Sequence, residues 1–408
     1  MFDFFTAIAL KNGEMLYDIN AISYEELIKK IGLNVNLDTT SIIIKILPKR
    51  DIFSSEPKNW YVETNQYTKP VWFTEEYENK YLDVFFKEIY PECIFIGKKD
   101  LIFKNRKNLF LHNSSAELYD SSVEVYDSSV KLYFSSKANL YRKAIAEVYD
   151  LSSVVLHDSS KADLYNTSST MLRDTSSANL YDTSSAEIHD LSRANLYDYS
   201  RAEIYDSAKA KLRGFSWAHL FNSSKAELYD SSKAIVSNTS SVNLYGRSSA
   251  RVYDSSTARV YDSSLVELYD SSSVEVNVSS TAKLYDYSSA RLYDSSSVEV
   301  HGSSKAELYH SSSAKLYDSS SVEVHGSSKA ELYHSSSAEL YDSSKAELHH
   351  SSSAELHNSS SVILYDLSKA ELQDASSVVL HDYSKAKLYD YSSARLYDFS
   401  FAELYNKS

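Results

Sequence analysis

Residues Ala226-Glu227-Leu228-Tyr229-Asp230-Ser231-Ser232-Lys233 are one copy of an eight-residue unit that is repeated without interruption from Ala138 to Tyr405. With the positions of the unit named a to h, position a is Ala or Val in every copy except Thr170, and position c is always Leu, Val or Ile. A short, fixed period is typical of solenoids, in which only stacked repeats bury a continuous core. The repeat therefore decides the fold class.

Side chains within the unit alternate as they do in a β-strand. The small or apolar residues at g, a and c would point to one side, and the polar or aromatic residues at h, b and d to the other. Asp-Ser at e and f interrupts the alternation, and Asp favours turns because its side chain bonds to nearby backbone. Each unit is therefore predicted to be one strand and one corner. Aspartates at e on neighbouring coils are expected to repel one another.

The number of units in each coil is decided by how the interior fills. Two units would give a flattened 16-residue coil with two facing sheets, in which Leu at c meets Ser at g and Ala meets Ala. Three units would give a triangular prism whose interior Ser, Ala and Leu are too small to fill it. The nearly identical stretches 298–318 and 322–342 fit three units, although a recent duplication explains them equally well. We predict an all-β solenoid, a parallel β-helix or β-roll of octapeptide repeats with two units per coil and a length of about 80 Å; three per coil is the alternative.

Residues 1–112 lack the unit and have the mixed composition of a small α+β domain. Turn and cap signals predict its elements: a hairpin at Asn12-Gly13, a helix between Ser23 and Gly32, a strand at Ser41–Leu47, a helix from Thr74 to about Ile89, and a hairpin at Cys93–Phe103 leading into the solenoid. An open first coil needs a cover. We therefore predict two domains, an α+β capping domain at residues 1–112 and the octapeptide-repeat β-solenoid at residues 113–408. The first units of the solenoid, at Ala116, Val123 and Val130, are only seven residues apart.

Composition excludes several classes of protein. The chain has 7 Gly, 4 Pro and one cysteine, Cys93, so that collagen-like, Gly-rich calcium-binding and disulfide-stabilised folds are not expected. The net charge of −14 argues against binding to nucleic acid or to an anionic membrane. The first ten residues do not resemble a signal peptide, and no apolar run has the length of a membrane span. We expect a cytoplasmic protein.

No pattern in the chain predicts catalysis, a cofactor or a metal site. The chain has no phosphate-binding loop, no dinucleotide fingerprint and no nucleophile elbow. The serines at g have no accompanying base, and most of the late histidines replace Tyr or Asp within the repeat. The uninterrupted repeat also leaves no inserted loops to build a cleft. We therefore predict that the protein is not an enzyme.

Two groups of aromatic residues are candidate binding surfaces. Near the carboxyl end, corner and face positions that are usually Ser or Lys become aromatic, and exposed aromatics are common at interfaces. The aromatic residues at this end are Tyr383, Tyr391, Phe399, Phe401 and Tyr405. They predict a homodimer through the C-terminal coils. In the alternative, their rings cover the last coil. The second group, Trp60, Tyr67 and Trp72, lies in a proline-bounded segment and is either a ligand-binding loop or part of the domain's own core.

The repeat resembles those of uncharacterised octapeptide-repeat proteins that occur in phage, prophage and bacterial genomes; Val266–Ser273 is close to their unit, and the resemblance covers residues 116–405. It implies the architecture and an origin in a mobile element, with assembly into a phage particle as one possible setting. The function we expect is that of a non-catalytic structural or interaction rod, which binds a protein or a polysaccharide through its aromatic and acidic faces or its ends. The alternative is an acidic decoy that mimics nucleic acid and inhibits a DNA-binding protein, although interleaved Lys and Arg residues dilute its charge.

Overall fold

The computed structural model describes residues 5–21, 23–32, 40–64 and 69–405. It divides into two compact units, Met1–Asn179 with Thr183–Ser185, and Leu180–Asp182 with Ala186–Ser408. Both units contain coils of a parallel β-solenoid, about 19 in all, and the first unit also contains the N-terminal α+β region. The predicted fold class is confirmed.

The N-terminal region is an antiparallel sheet with short helices against it. Its strands, in the spatial order β2-β1-β3-β4, are β1 (Phe5–Leu10), β2 (Met15–Leu16), β3 (Ser41–Pro48) and β4 (Trp60–Thr64). Its helices are α1 (Tyr24–Ile31), a 3₁₀ turn (Pro57–Asn59), α2 (Glu75–Val84), a π-helical turn (Phe85–Ile89) and α3 (Tyr90–Cys93). Ser23 accepts a hydrogen bond from the Glu26 backbone N–H, and Gly32 ends α1 in a left-handed conformation, as predicted. No helix among the described residues is long and apolar enough to cross a bilayer.

The solenoid begins before the predicted boundary at residues 112 and 113. Strands β5 (Ile94–Ile96), β6 (Leu101–Lys104) and β7 (Leu109–His112) already belong to its sheets, because β5 pairs with β7 and β6 with β8 (Ser115–Tyr119), all in parallel. The predicted hairpin at Cys93–Phe103 is therefore wrong. Gly97 and Asp100 have positive φ angles, and the chain turns a solenoid corner there instead of folding back on itself.

The register of the strands gives the length of each coil. After β9 (Ser122–Tyr126), β10 (Ser129–Tyr133) and β11 (Lys137–Tyr141), four-residue strands begin at every eighth residue from β12 (Ile145–Val148) to β44 (Phe401–Leu404). Ser289 of β30 pairs with Lys305 of β32, 16 residues later, so a coil contains two units, as predicted. The first coils are tighter, since Ser115 pairs with Ser129, 14 residues later.

The interior contains the residues that the alternation predicted. Leucines at c, such as Leu308, and serines at g, such as Ser296, are fully buried. The Ser296 hydroxyl donates to the carbonyl of Tyr293, which precedes it at the same corner, over 2.7 Å. Other hydroxyls meet along the column, as Ser288 and Ser304 do at 3.4 Å. These bonds offset the usual cost of burying a polar group at many of the serines, but the hydroxyls of Ser216, Ser256, Ser272, Ser344 and Ser360 are buried without a partner among the described residues.

The corner is made by the residue at e, whose backbone is left-handed. Asp158 has a φ of 55° and Asp174 one of 57°, a region that Asp, Asn and Gly tolerate better than other residues. The Asp158 backbone N–H donates to the Asp174 carboxylate of the next coil over 3.0 Å, and similar bonds recur along both corners. Many of the stacked carboxylates therefore each have a backbone donor, which offsets the repulsion expected from the sequence.

Candidate interaction surfaces

The C-terminal coils expose residues that are buried everywhere else in the solenoid. Leu388, at position c of β42 (Lys385–Leu388), is 1% exposed, but Leu396 of β43 (Ser393–Leu396) is 48% exposed and Leu404 of β44 is 66% exposed. By the alternation of the repeat, the side chains of Leu396 and Leu404 point inward, yet none of the described residues covers them. Within the described residues, the two leucines therefore form an open apolar surface at β43 and β44.

All five aromatic residues predicted at this end are exposed. Tyr383 and Phe399 stack at one corner, with ring centroids 5.4 Å apart and planes 8° apart. Tyr391 is on the opposite corner, Phe401 is on the outward face of β44, and Tyr405 stacks on Tyr389 at 4.9 Å. The rings thus surround the last coils without covering Leu396 and Leu404, which disagrees with the alternative that they close the end of the core.

The two tryptophans of the predicted N-terminal loop are packed into the domain. Trp60 is buried against Phe85 and Tyr90, and its indole N–H donates to the Ser54 carbonyl over 2.8 Å. Trp72 is half-buried and contacts Phe73 and Tyr77 edge-on. Tyr67 lies outside the described residues. The side chains that can be placed thus contribute to the domain core, where Trp60 leaves no ring face open to a ligand.

The outward faces carry a regular ladder of rings at d, as the sequence predicts. Tyr269 and Tyr285 stack at 5.0 Å, and His301 continues the same column at 5.2 Å from Tyr285, with nearly parallel planes. The pattern explains the late histidines at d, since an imidazole stacks in place of a phenol. Beside the ladder, residues at b pair across neighbouring coils, as Arg251 does with Glu267 at 3.0 Å and Lys283 with Glu299 at 3.2 Å.

One stretch of the b column is acidic over five consecutive coils. Glu307, Glu323, Glu339, Glu355 and Glu371 line one side of a shallow groove on the sheet that contains β32 (Lys305–Leu308). The ends of the run are neutralised by Arg291, which pairs with Glu307 at 3.0 Å, and by Lys387, which pairs with Glu371 at 2.7 Å. The middle three carboxylates have no Lys or Arg partner among the described residues, so this groove is the most acidic stretch of the outward face.

A row of four aromatic residues on one coil was not predicted from the sequence. Phe215 at f, Trp217 at h, His219 at b and Phe221 at d follow one another along the corner and outward face of β21 (Trp217–Leu220). The signal was available, because only position d is normally aromatic, while f, h and b are normally Ser, Lys or Glu. The octad consensus does not reveal the row, because a consensus retains only what the copies share.

A buried carboxyl lies where the N-terminal region meets the first coils. Glu124 of β9 accepts a hydrogen bond from the Asn139 side chain over 2.7 Å, and its other oxygen, Oε2, is buried without a partner among the described residues. Phe53 of the N-terminal region packs edge-on against the neighbouring Tyr126. Burial raises the pKa of Glu124 to about 7, against the lowering effect of hydrogen bonds from Asn139 and Tyr141.

Comparisons with protein-family models, with curated proteins and with solved structures give no match to this chain. The resemblance to octapeptide-repeat proteins of phage and bacterial genomes therefore stays a prediction from the repeat. Arguments about function rest on the surfaces described above.

Proposed function

We propose that this protein is a non-catalytic interaction protein whose C-terminal coils bind a second copy of the chain, while its outward faces bind a protein or polysaccharide partner. The observation that carries the proposal is the exposure of Leu396 and Leu404. Their positions are otherwise buried in the core, and exposed aromatic residues surround them. Surfaces of this kind are uncommon on monomers and common at interfaces.

The energetics of the open end favour self-association. Burying an exposed Leu is worth about 1.5–3 kcal/mol, and the aromatic rings around the two leucines add further apolar area. The outer sides of β43 and β44 also carry backbone groups that a strand of another chain can pair with. In a two-fold dimer joined at this end, β43 and β44 of one chain would lie against the same strands of the other chain. The backbone groups at both edges would then form hydrogen bonds.

The outward faces supply the rest of the proposal. From Ile145 to Leu404 the described strands recur at a constant spacing with no inserted loop, so neighbouring coils carry their rings and charges in register. Such a surface suits the binding of an extended partner better than the enclosure of a small substrate. Because Cys93 is the single cysteine and a buried free thiol, we place the protein in the cytoplasm, before or during assembly into a larger particle such as that of a phage.

Light scattering on the intact chain tests the self-association. We expect the mass of a dimer at micromolar concentration, and the mass of a monomer after the double substitution Phe399→Ser and Phe401→Ser. The matched control is Tyr287→Ser, which removes an equally exposed corner ring elsewhere in the solenoid and should leave the dimer intact. A monomeric mass for the unmodified chain, or a dimer that survives the double substitution, contradicts the proposal.

A second candidate function, an acidic decoy for a DNA-binding protein, is favoured by the run of five glutamates. Carboxylates on consecutive coils lie about 4.8 Å apart, and three of them lack a Lys or Arg partner, so the middle of the groove, between Lys305 and Lys369, presents concentrated negative charge. In this case the chain should displace DNA from a basic protein in a salt-dependent manner. Changing Glu323, Glu339 and Glu355 to Gln should abolish the displacement; displacement that survives this change excludes the groove as its cause.

A further inference from the structure

The aromatic row of residues 215–221 is not explained by the needs of the solenoid. At d, a ring stacks on its neighbours in the ladder, as Phe221 does on Tyr205 at 4.9 Å. At f, h and b the fold is satisfied by Ser, Lys or Glu in most coils, yet Phe215, Trp217 and His219 occupy these positions together. Tyr199 extends the row on the previous coil, because it stacks on Phe215 at 5.4 Å.

The rings of Trp217, His219 and Phe221 form one continuous strip, and Phe215 lies at the corner before it. The Trp217 and His219 ring centroids are 6.2 Å apart, and those of His219 and Phe221 are 3.8 Å apart. Alternate residues of a strand are spaced by about 6.6 Å, so Trp217, His219 and Phe221 span roughly 13 Å along the face. Phe215 and Tyr199 are each 61% exposed, and the other three rings are half-buried. Burial lowers the pKa of His219, which keeps its ring uncharged at neutral pH.

Two cations flank the strip. In the register of the sheet, Arg201 is the neighbour of Trp217 on one side and Lys233 on the other. Both side chains are exposed, and neither has an ion pair among the described residues. Glu203, the neighbour of His219, accepts the Tyr205 hydroxyl at 2.5 Å. The strip thus has an apolar floor with unpaired positive charge on both sides of its tryptophan.

We propose that this strip binds a linear polysaccharide that carries carboxylates. The C–H faces of pyranose rings pack on exposed aromatic faces, while Arg201 and Lys233 bind the carboxylates, Arg201 in a bidentate manner. The proposal rests on the interaction role proposed above but not on the C-terminal contact, since it uses other residues.

The charge of the whole chain does not prevent this binding. The net charge of −14 repels a polyanion at long range, but the Debye length at physiological salt is about 8 Å. Charges on distant coils are therefore largely screened. The nearby carboxylates of Glu203 and Asp230 lie beside His219 and Gly214, whereas the charges on either side of Trp217 are the two cations. A neutral polysaccharide would make no use of them, which is why the structure favours an acidic one.

Calorimetric titration of the intact chain with polygalacturonate, with dextran as the neutral comparison, tests the proposal. We expect polygalacturonate to bind and dextran to bind at least tenfold more weakly. Trp217→Ser should weaken binding at least tenfold, and it introduces a residue that many other coils have at h, so the fold should tolerate it. The double substitution Arg201→Ser and Lys233→Ser should reduce binding to the level of dextran. Tyr287→Ser, which removes an exposed ring from a corner outside the strip, is the matched control and should bind as the unmodified chain does.

Several results would overturn the inference. Absence of polygalacturonate binding, or binding that survives Trp217→Ser, removes the strip as the site. If dextran binds as tightly as polygalacturonate, and the loss of both cations does not change this binding, the strip does not recognise carboxylates. Tighter binding of single-stranded DNA than of polygalacturonate would assign the strip to base stacking instead. Light scattering on the same samples separates these outcomes from failure of the C-terminal contact, because loss of polysaccharide binding would leave the dimer unchanged.

Discussion

Val278 should be a weak point of the solenoid, and replacing it with Asp should stabilise the coils around it. It occupies position e, where its φ of 60° is left-handed. Asp, Asn, Gly and His fill this position in nearly all other coils. A β-branched residue in this region is a conformational outlier. The Val278 side chain is 47% exposed, so little packing energy offsets the strain.

Two contributions add up at this corner. The left-handed backbone costs a residue with a Cβ about 1–2 kcal/mol, and Asp bears this conformation more easily than Val. The second contribution is a missing bond. Along this corner the Gly246 N–H donates to the Asp262 carboxylate over 2.9 Å, but the Asp262 N–H meets an isopropyl group at position 278. A carboxylate there adds a charge-assisted bond of about 1–2 kcal/mol at a partly exposed site.

Some backbone hydrogen bonds across this corner are absent around Val278, but among the described residues they are also absent at Ala375 and Tyr391, so the estimate rests on the two contributions above. At the same corner, the Ser263 N–H donates to the Gly246 carbonyl over 3.1 Å, and the Ser311 N–H donates to the Asp294 carbonyl over 3.0 Å. In the described structure the equivalent bonds from Ser279 and Ser295 are not formed. From the two contributions we expect Val278→Asp to gain about 2–3 kcal/mol for local opening of these coils.

Hydrogen exchange resolved along the chain is the suitable assay, because stacked repeats open locally and a single unfolding transition is not assured. A gain of 2 kcal/mol should slow exchange in the coils around residue 278 by about thirtyfold, since 1.4 kcal/mol is tenfold. Val278→Gly relieves the backbone but lacks the carboxylate and makes the unfolded chain more flexible, so it should gain less. Asp254→Val, the reverse change at a corner where the Asn238 N–H donates to Asp254 over 2.7 Å, should speed local exchange. Unchanged exchange in Val278→Asp, or a larger gain in Val278→Gly, would refute the reasoning.

Two further predictions test the interior and the buried carboxyl. Leu308→Ala should lose about 2–4 kcal/mol because Leu308 is fully buried, whereas Glu339→Lys changes a solvated position and should stay within about 0.5 kcal/mol; equal melting shifts would show that the inward and outward faces are reversed. Because the folded-state pKa of Glu124 is raised from 4.5 to about 7, its protonated form favours folding, so this stability is fully present below pH 4.5 and is lost as the pH rises through 7. Thermal melts at pH 5 and pH 8 should therefore show a loss toward pH 8 that Glu124→Gln reduces, and an unchanged pH dependence in that variant would contradict the role of Glu124.

The interior of the solenoid could be predicted from the sequence because it obeys a period. The alternation of g, a and c specified which side chains are buried, and the sizes of Leu, Ala and Ser favoured two units per coil over three. The corners were predicted only in part. A turn at Asp was expected, but the left-handed backbone at e, and the hydrogen bonds that many carboxylates accept from a backbone N–H of the preceding coil, depend on the stacking of one coil on another. Spacing within a single unit does not contain that information.

The start of the solenoid shows the same limit. Ile94–Lys104 contains two short apolar runs, which alternation alone cannot distinguish from a hairpin. The structure places β5 and β6 in opposite sheets, because Gly97 and Asp100 turn the chain through a corner. Exposure could not be predicted either. Trp60 and Phe399 are both aromatic residues with polar neighbours in the sequence, but only the Trp60 side chain is buried in a core.

Departures from the repeat have opposite meanings at constrained and unconstrained positions. Positions a, c, e and g are determined by the interior and the corner. A departure there costs stability, as at Val278, and the other three of these positions in its unit follow the consensus. Positions h, b and f face solvent, where most substitutions change stability by less than about 0.5 kcal/mol and folding specifies little. Where several aromatic residues replace the usual Ser or Lys together at these positions, they add no stability to the fold that Ser or Lys would not provide. The strip at Trp217 and the aromatic residues around Phe399 are such groups, and binding is the physical reason we assign to each.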